Sequence, residues 1–165
     1  MTHSTRLATS RRSAEEMKLQ SLARTSALLV LTGGLALAAG SATGVERISA
    51  PEDAKVYFIS PQDGDTVESP VHVQMGLRGM GVAPAGLEAD NTGHHHLLIN
   101  KPLDEIDLDG SLPFTDQTRH FGGGQTEGKI ELEPGTHTLQ LLFMDYRHIS
   151  FDPPVVSETI QITVE

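Results

Sequence analysis

No cysteine occurs among the 165 residues. That absence excludes a disulfide framework, a lipid-carrying cysteine anchor and thiolate metal ligation together. Long apolar runs are scarce too. The only candidate, residues 27–39 (ALLVLTGGLALAA), is broken by Thr32, Gly33 and Gly34. It falls short of the about 20 apolar residues that a transmembrane helix needs, so a permanent anchor is the weaker reading. Positive charge is sparse beyond this run: in residues 41–165 seven Lys or Arg stand against twenty Asp or Glu, a net charge of −13 with His neutral. Such a surface repels nucleic acid and anionic lipid and favours cations or basic partners, although a solvated acidic face accounts for the charge equally well. Catalytic signatures are also missing. With no G-x-S-x-G, no H-E-x-x-H and no C-x-x-C, a standard hydrolase, zincin or thiol-redox enzyme has no foothold.

What residues 27–39 do resemble is an address. Lys18 and Arg24 precede the run and GSATG follows it, giving the charged start, short apolar middle and small-residue end of a secretory signal. Residues 1–40 are therefore expected to be an N-terminal extension plus a signal peptide, delivering a periplasmic or secreted product with no membrane association after cleavage. Arg11-Arg12 is a poor twin-arginine signal, because Glu15 and Glu16 follow it. Met17 is a natural start, which would make residues 1–16 an upstream extension. Residues 41–54 read as a linker, and residues 55–165 as one domain.

Within that domain the pattern is β. Val71, Val73, Met75 and Leu77 alternate with His72, Gln74 and Gly76; His137, Leu139, Leu141 and Phe143 share a face; Ile160, Ile162 and Val164 alternate with Gln161 and Thr163. Residues 56–59, 94–99 and 129–132 are further strand candidates, with Pro and Gly between them. No helical repeat appears after residue 54. Six or seven short strands in about 110 residues predict an all-β fold, a single antiparallel β-sandwich of immunoglobulin-like type. A closed or partly closed barrel is the alternative. Residues 79–93 are too rich in Gly, Pro and Ala for a strand of their own, and residues 101–118 form a second long loop. Such loops at the ends of sandwiches commonly carry binding residues.

Histidine is the residue type that points to chemistry. His94, His95 and His96 stand together in GHHHLLIN, and His120 opens HFGGGQTE. Neutral imidazole is the commonest protein ligand for transition metals. Strand alternation puts His94 and His96 on one face and His95 on the other, beside Leu97 and Ile99. Two imidazoles at i and i+2, a third from His120 and a fourth from His148 in the turn after residue 144 make a candidate metal site for copper or zinc. Without thiolates it suits Cu(II), Zn(II) or Ni(II) better than Cu(I).

The remaining histidines read as structural. His95 faces the core, and His137 follows Glu133-Pro134-Gly135 in a corner where a ring bonds back to loop backbone. Hydrogen-bonding roles in a core would equally account for strand histidines. Gly122, Gly123 and Gly124 have no helix behind them to make a phosphate cradle. They read instead as a tight bend bringing Gln125, Thr126 and Glu127 near His120, with Asp145 as a further supporting residue. Glu105-x-Asp107-x-Asp109-Gly110 mimics a calcium loop, but Pro113 and the lack of flanking helices count against it.

Taken together, SPQDG at 60–64, GMGVAPAG at 79–86, GHHHLLIN at 93–100, HFGGGQTE at 120–127, PGTHTLQLLF at 134–143 and DPPVVSETIQITV at 152–164 resemble a family of small exported bacterial domains, the domain of unknown function numbered 4399. The positions that match its signature are Gly93, His94, His95, His96, His120, Gly122, Gly123, Gly124, Gln125, Thr126, Glu127, His137, Asp145 and His148. The resemblance implies a fold and an address but no activity. Members often read H-I-P-H where this chain has His148-Ile149-Ser150-Phe151, so Phe151 removes one further ligand. The expectation is a non-catalytic binding module for a divalent transition metal rather than an enzyme. A metal-free domain that binds an envelope glycan or protein partner is the rival, and a metal-dependent hydrolase with Glu127 as base is a third.

Overall fold

The computed structural model describes residues 45–165. The signal segment expected within residues 1–40 and the alternative start expected at Met17 lie outside the described residues. Among the described residues there are ten strands: β1 (Lys55–Ser60), β2 (Thr66–Val67), β3 (Val71–Arg78), β4 (Gly81–Val82), β5 (Thr92–Ile99), β6 (Thr118–His120), β7 (Glu127–Ile130), β8 (Gly135–Met144), β9 (Ser150–Val156) and β10 (Ile160–Val164). One 3-10 turn, Leu103–Glu105, lies between β5 and β6. The all-β expectation is met. Among the described residues no helix is long and apolar enough to cross a membrane.

The strands form two sheets. A three-stranded sheet runs β1-β3-β7, and a seven-stranded sheet runs β2-β10-β8-β5-β4, with β6 on β5 and β9 on β8. The expectation of purely antiparallel pairing needs correction. β2 runs parallel to β10 and β4 parallel to β5, so the larger sheet is mixed. Each of these two strands has only two residues, too few to show any alternation. β4 also lies inside the stretch 79–93, which therefore does contain a strand.

One core joins the sheets. Val56, Val71, Val73 and Met75 from the smaller sheet meet Leu97, Leu139, Leu141, Phe143, Ile160 and Ile162 from the larger one. Each such side chain contributes about 1.5–3 kcal/mol by leaving water. Alternation in β8 puts Leu139, Leu141 and Phe143 into this core, while Leu142 and Met144 point out of the other face.

That other face is also covered. Leu98, Leu142 and Met144 pack with Ile106 and Leu112, and with the partly buried Leu103 and Leu108. The loop after β5 thus lies over the outer side of the larger sheet and makes a second, smaller core. In consequence β5 is buried on both faces from Gly93 to Ile99, and its triplet of histidines with it.

Residues 45–54 follow the domain closely. The Ala50 N–H donates to the Asp152 carbonyl at 2.9 Å and the Asp152 N–H to the Ile48 carbonyl at 2.8 Å, so this stretch lies along β9. The Arg47 guanidinium pairs with Asp152 at 2.8 Å and with Asp109 at 3.6 Å.

Candidate metal centre

The site stands on the outer face of the larger sheet. Alternation along β5 turns His94, His96 and Leu98 to this side and His95, Leu97 and Ile99 to the main core. On the neighbouring strand β6, His120 pairs directly with His96. Residues directly opposite each other across a strand pair share a face, so the His120 ring joins the other two.

His148 arrives from a turn. Asp145 directly follows β8 and is fully buried. Its Oδ1 accepts the N–H groups of Arg147 at 2.8 Å and Ile149 at 3.0 Å, and its Oδ2 accepts Arg147 Nε at 2.8 Å. The Arg147 Nη2 group sits 2.7 Å from the same oxygen. The His148 N–H closes the turn onto the Asp145 carbonyl at 3.0 Å. These bonds hold His148 at φ 67°. That left-handed region costs a residue with a Cβ about 1–2 kcal/mol, which the carboxylate's bonds offset.

The four rings converge. Each of His94, His96, His120 and His148 offers one nitrogen, and those nitrogens lie within 4.8 Å of one another. Ring centroids are 4.7 Å apart for His94 and His96, 4.9 Å for His120 and His148, and 5.7 Å at most, between His96 and His148. The Nε2 atoms of His120 and His148 are 3.2 Å apart. Bonds of about 2.0–2.1 Å to one tetrahedral ion put neighbouring nitrogens roughly 3.3 Å apart, so the widest pair must close by roughly 1.5 Å. Among the described residues this is the one group of its kind, and the acidic side chains of 105–116 do not form another.

Electrostatics favour the neutral, ligating form. His96 is lowered to about 2, first by burial and then by His94, His120 and His148 beside it. His94 is lowered to about 4, by burial and then by His148 and His120. His120 is lowered for the same reasons, burial first and His148 second. Both nitrogens of His94 and both of His96 are buried without any hydrogen-bond partner. A buried polar group left unpaired costs about 1–3 kcal/mol, so the cluster is deficient in what a cation would supply. An all-imidazole donor set with no thiolate fits a borderline divalent ion.

Other predicted residues fall elsewhere. His95 is buried against Phe143, edge to face at 5.1 Å, on the core side; burial lowers it to about 4. The His137 ring donates from Nε2 to the Glu133 carbonyl at 2.8 Å, and its Nδ1 accepts from Asn100 Nδ2 at 2.9 Å, so it ties the corner before β8. Gln125 folds into the glycine bend, where its Oε1 accepts the Gly123 N–H at 2.8 Å. The Thr126 carbonyl accepts from the Met75 N–H, and Glu127 takes Gln74 at 3.0 Å and lies 3.5 Å from His72. Thr126 and Glu127 are thus engaged by β3 of the smaller sheet.

Two of the glycines have stated reasons. A Cβ on Gly122 would overlap the His120 ring, so the ligand itself occupies that space. Gly124 sits at φ +78°, which only glycine adopts freely. Asp145 supports the site through the turn. Phe151, at the position where a further ligand is expected in relatives, is buried in the main core beside Phe143.

One residue was missed from the sequence. Phe114, in the loop after β5, stacks on His120 at 4.6 Å and 29° and meets His148 edge to face at 5.6 Å, although it is 61% exposed. Its only sequence signal is an aromatic residue in an otherwise polar stretch, six positions before His120.

Comparison with known proteins yields a family and little else. A family model described as Domain of unknown function (DUF4399) matches residues 73–165. No curated protein matches. Among solved structures, the endo-beta-1,4-mannanase from Thermotoga petrophila is similar at 19% identity and a TM-score of 0.38, over 68% of this chain and 20% of that one. The chain therefore spans about a fifth of the mannanase's length.

Proposed function

This chain belongs to the DUF4399 family, a domain of unknown function, and from its site we propose an exported, non-catalytic module that binds one divalent transition-metal ion, copper first and zinc second. His94, His96, His120 and His148 are the ligands. One observation carries the reading: four imidazoles converge, and the inner two are buried with every ring nitrogen unpartnered. The acidic balance of residues 41–165 adds a general attraction for cations. Export to the periplasm or beyond is supported by the pattern of residues 27–39, with the basic residues before it and the small residues after it. The same proposal takes the two sheets as an immunoglobulin-like sandwich, supported by their shared core and by the ring of His137 bonded back to its corner.

Isothermal titration of the untagged protein with Cu(II) and Zn(II) tests the metal reading. One ion per chain, bound more tightly than about 10 μM, is expected. Binding weaker than that, or unchanged in a His94→Ala, His96→Ala, His120→Ala triple variant, would overturn it. A second reading, a metal-free module for an envelope glycan or protein, draws on Tyr57 and Ile59, which are exposed on β1 of the smaller sheet. It predicts no heat with either metal and losses of partner binding on Tyr57→Ala.

A further inference from the structure

Phe114 is an exposed aromatic residue whose ring neighbours include two of the four histidines. It stacks on the face of His120 and presents an edge to His148, the two half-buried members of the cluster, while His94 and His96 lie fully buried beneath. An exposed phenyl ring on a loop is ordinarily free to turn away. Here the backbone on either side of the ring is fixed in place.

The clamp is Thr118, a buried residue of β6 two positions before His120. Its hydroxyl donates to the Pro113 carbonyl at 2.5 Å and accepts the Thr115 N–H at 2.9 Å, so it fixes the chain on both sides of Phe114. The same stretch reaches the other outer histidine, since the Leu112 N–H donates to the His148 carbonyl at 3.4 Å. Residues 112–115 thus tie the His148 backbone to Thr118 of β6, the strand that carries His120, and the Phe114 ring spans both outer rings. Leu112 anchors the loop in the second core.

We propose that Phe114 is the cap of the metal centre: a specificity-determining residue that keeps water and small anions off the bound ion and slows its exchange. This rests on the metal reading above. An apolar shell around a metal site controls solvent access, and with four protein ligands under a hydrophobic lid the ion has no easy position for an exogenous ligand. The class of ligand admitted is then the bare ion, taken up when the ring swings aside, and not a metal-bound substrate. Thr118 is a positioning residue for the cap.

The experiment loads wild type, Phe114→Ala, Phe114→Leu and Thr118→Val with Cu(II) and follows extraction by excess EDTA and the charge-transfer band formed with azide. Stoichiometry is expected to stay at one ion per chain. Phe114→Ala and Thr118→Val should lose copper about tenfold faster, with Phe114→Leu between them and wild type, since changes at one site act mostly through the off-rate. Azide should perturb the Phe114→Ala spectrum at concentrations that leave wild type unchanged. Equal extraction rates and equal azide response in wild type and Phe114→Ala, both holding one copper, would overturn the cap and leave the metal reading intact. Failure of wild type to take up Cu(II) would remove the metal reading, and the cap with it.

Discussion

His96 and His120 face each other across the β5–β6 pair, and their rings stack at 5.0 Å with 30° between planes. The ladder that sets this register continues past them, since the Phe121 N–H donates to the His95 carbonyl at 3.0 Å. A slip of one residue would send His120 to the opposite face. Half of the cluster's geometry is therefore inherited from the sheet. His94 shares it, two residues along β5, whereas His148 depends on the Asp145 turn. The site combines three sheet-borne rings with one turn-borne ring, and the two kinds should respond differently to mutation.

Single alanine replacements should reveal that difference. His94→Ala, His96→Ala and His120→Ala are each expected to weaken Cu(II) binding by about a hundredfold or more, close to 3 kcal/mol. His148→Ala leaves three fixed ligands with an open position, an arrangement metals accept, and is expected to cost only about tenfold. Competition titration against a chelator of known affinity measures both. Equal losses at His96 and His148 would show that the turn is as integral as the sheet.

Acid should destabilise the metal-free protein early. His94 and His95 are lowered to about 4 and His96 to about 2, against an ordinary 6.5. Above pH 6.5 these rings are neutral folded or unfolded, and stability is complete. As pH falls from 6.5 towards 4 the unfolded chain takes up protons that the folded chain refuses, so stability drops with falling pH. For His95 alone the loss through that window is about 3 kcal/mol at 1.36 kcal/mol per unit. Urea unfolding at pH 7.0, 6.0 and 5.0 is expected to show a falling midpoint, and a flat midpoint across this range would contradict the burial argument.

His95 gives a cleaner version of the same test, because it lies on the core side of β5. Both its nitrogens are buried and unpartnered beside Phe143. Replacing an unsatisfied polar group by an apolar one of similar size is neutral or stabilising, so His95→Leu is expected to raise stability at pH 7 by about 1–3 kcal/mol. The gain should grow at pH 5, and Cu(II) affinity should stay within about threefold of wild type. Loss of copper binding in this variant would instead give the core-facing ring a role in the site.

Much of this arrangement was legible in the chain. Two-residue alternation is a local property, so the inward face of β8 and the division of His94 and His96 from His95 followed from spacing alone. The register of β6 against β5 and the turn at Asp145 are long-range facts that no local pattern carries. β9 was hidden by Pro153 and Pro154. Its ladder with β8 jumps from Phe143↔Val155 to Met144↔Ser150, so both prolines fall in the unpaired bulge, where a missing N–H costs nothing. The second core was hidden because residues 101–118 look like a surface loop. Ile106 and Leu112 have no periodic partners within it, and only the fold shows that they lie on Leu98, Leu142 and Met144. Phe114 belongs to the same blind spot.

Asp145 offers the sharpest test of how the turn serves the site. Its carboxylate bonds to Arg147 and Ile149, so its hydrogen bonds bear on the metal through the placement of His148, while its charge also reaches the His94 ring directly. Asp145→Asn keeps the size but removes the charge opposite Arg147. An amide nitrogen then meets the guanidinium, and the variant is expected to lose about 1–3 kcal/mol of stability. Copper affinity should fall about tenfold, to the level of His148→Ala. The decisive measurement is the double-mutant cycle. If Asp145 acts only by holding His148, the Asp145→Asn, His148→Ala double variant binds copper no more weakly than His148→Ala alone, and the coupling energy equals the whole effect of the first change. Additive losses would mean that Asp145 also shapes the three sheet-borne ligands, most directly through the end of β8, where Met144 pairs with His94.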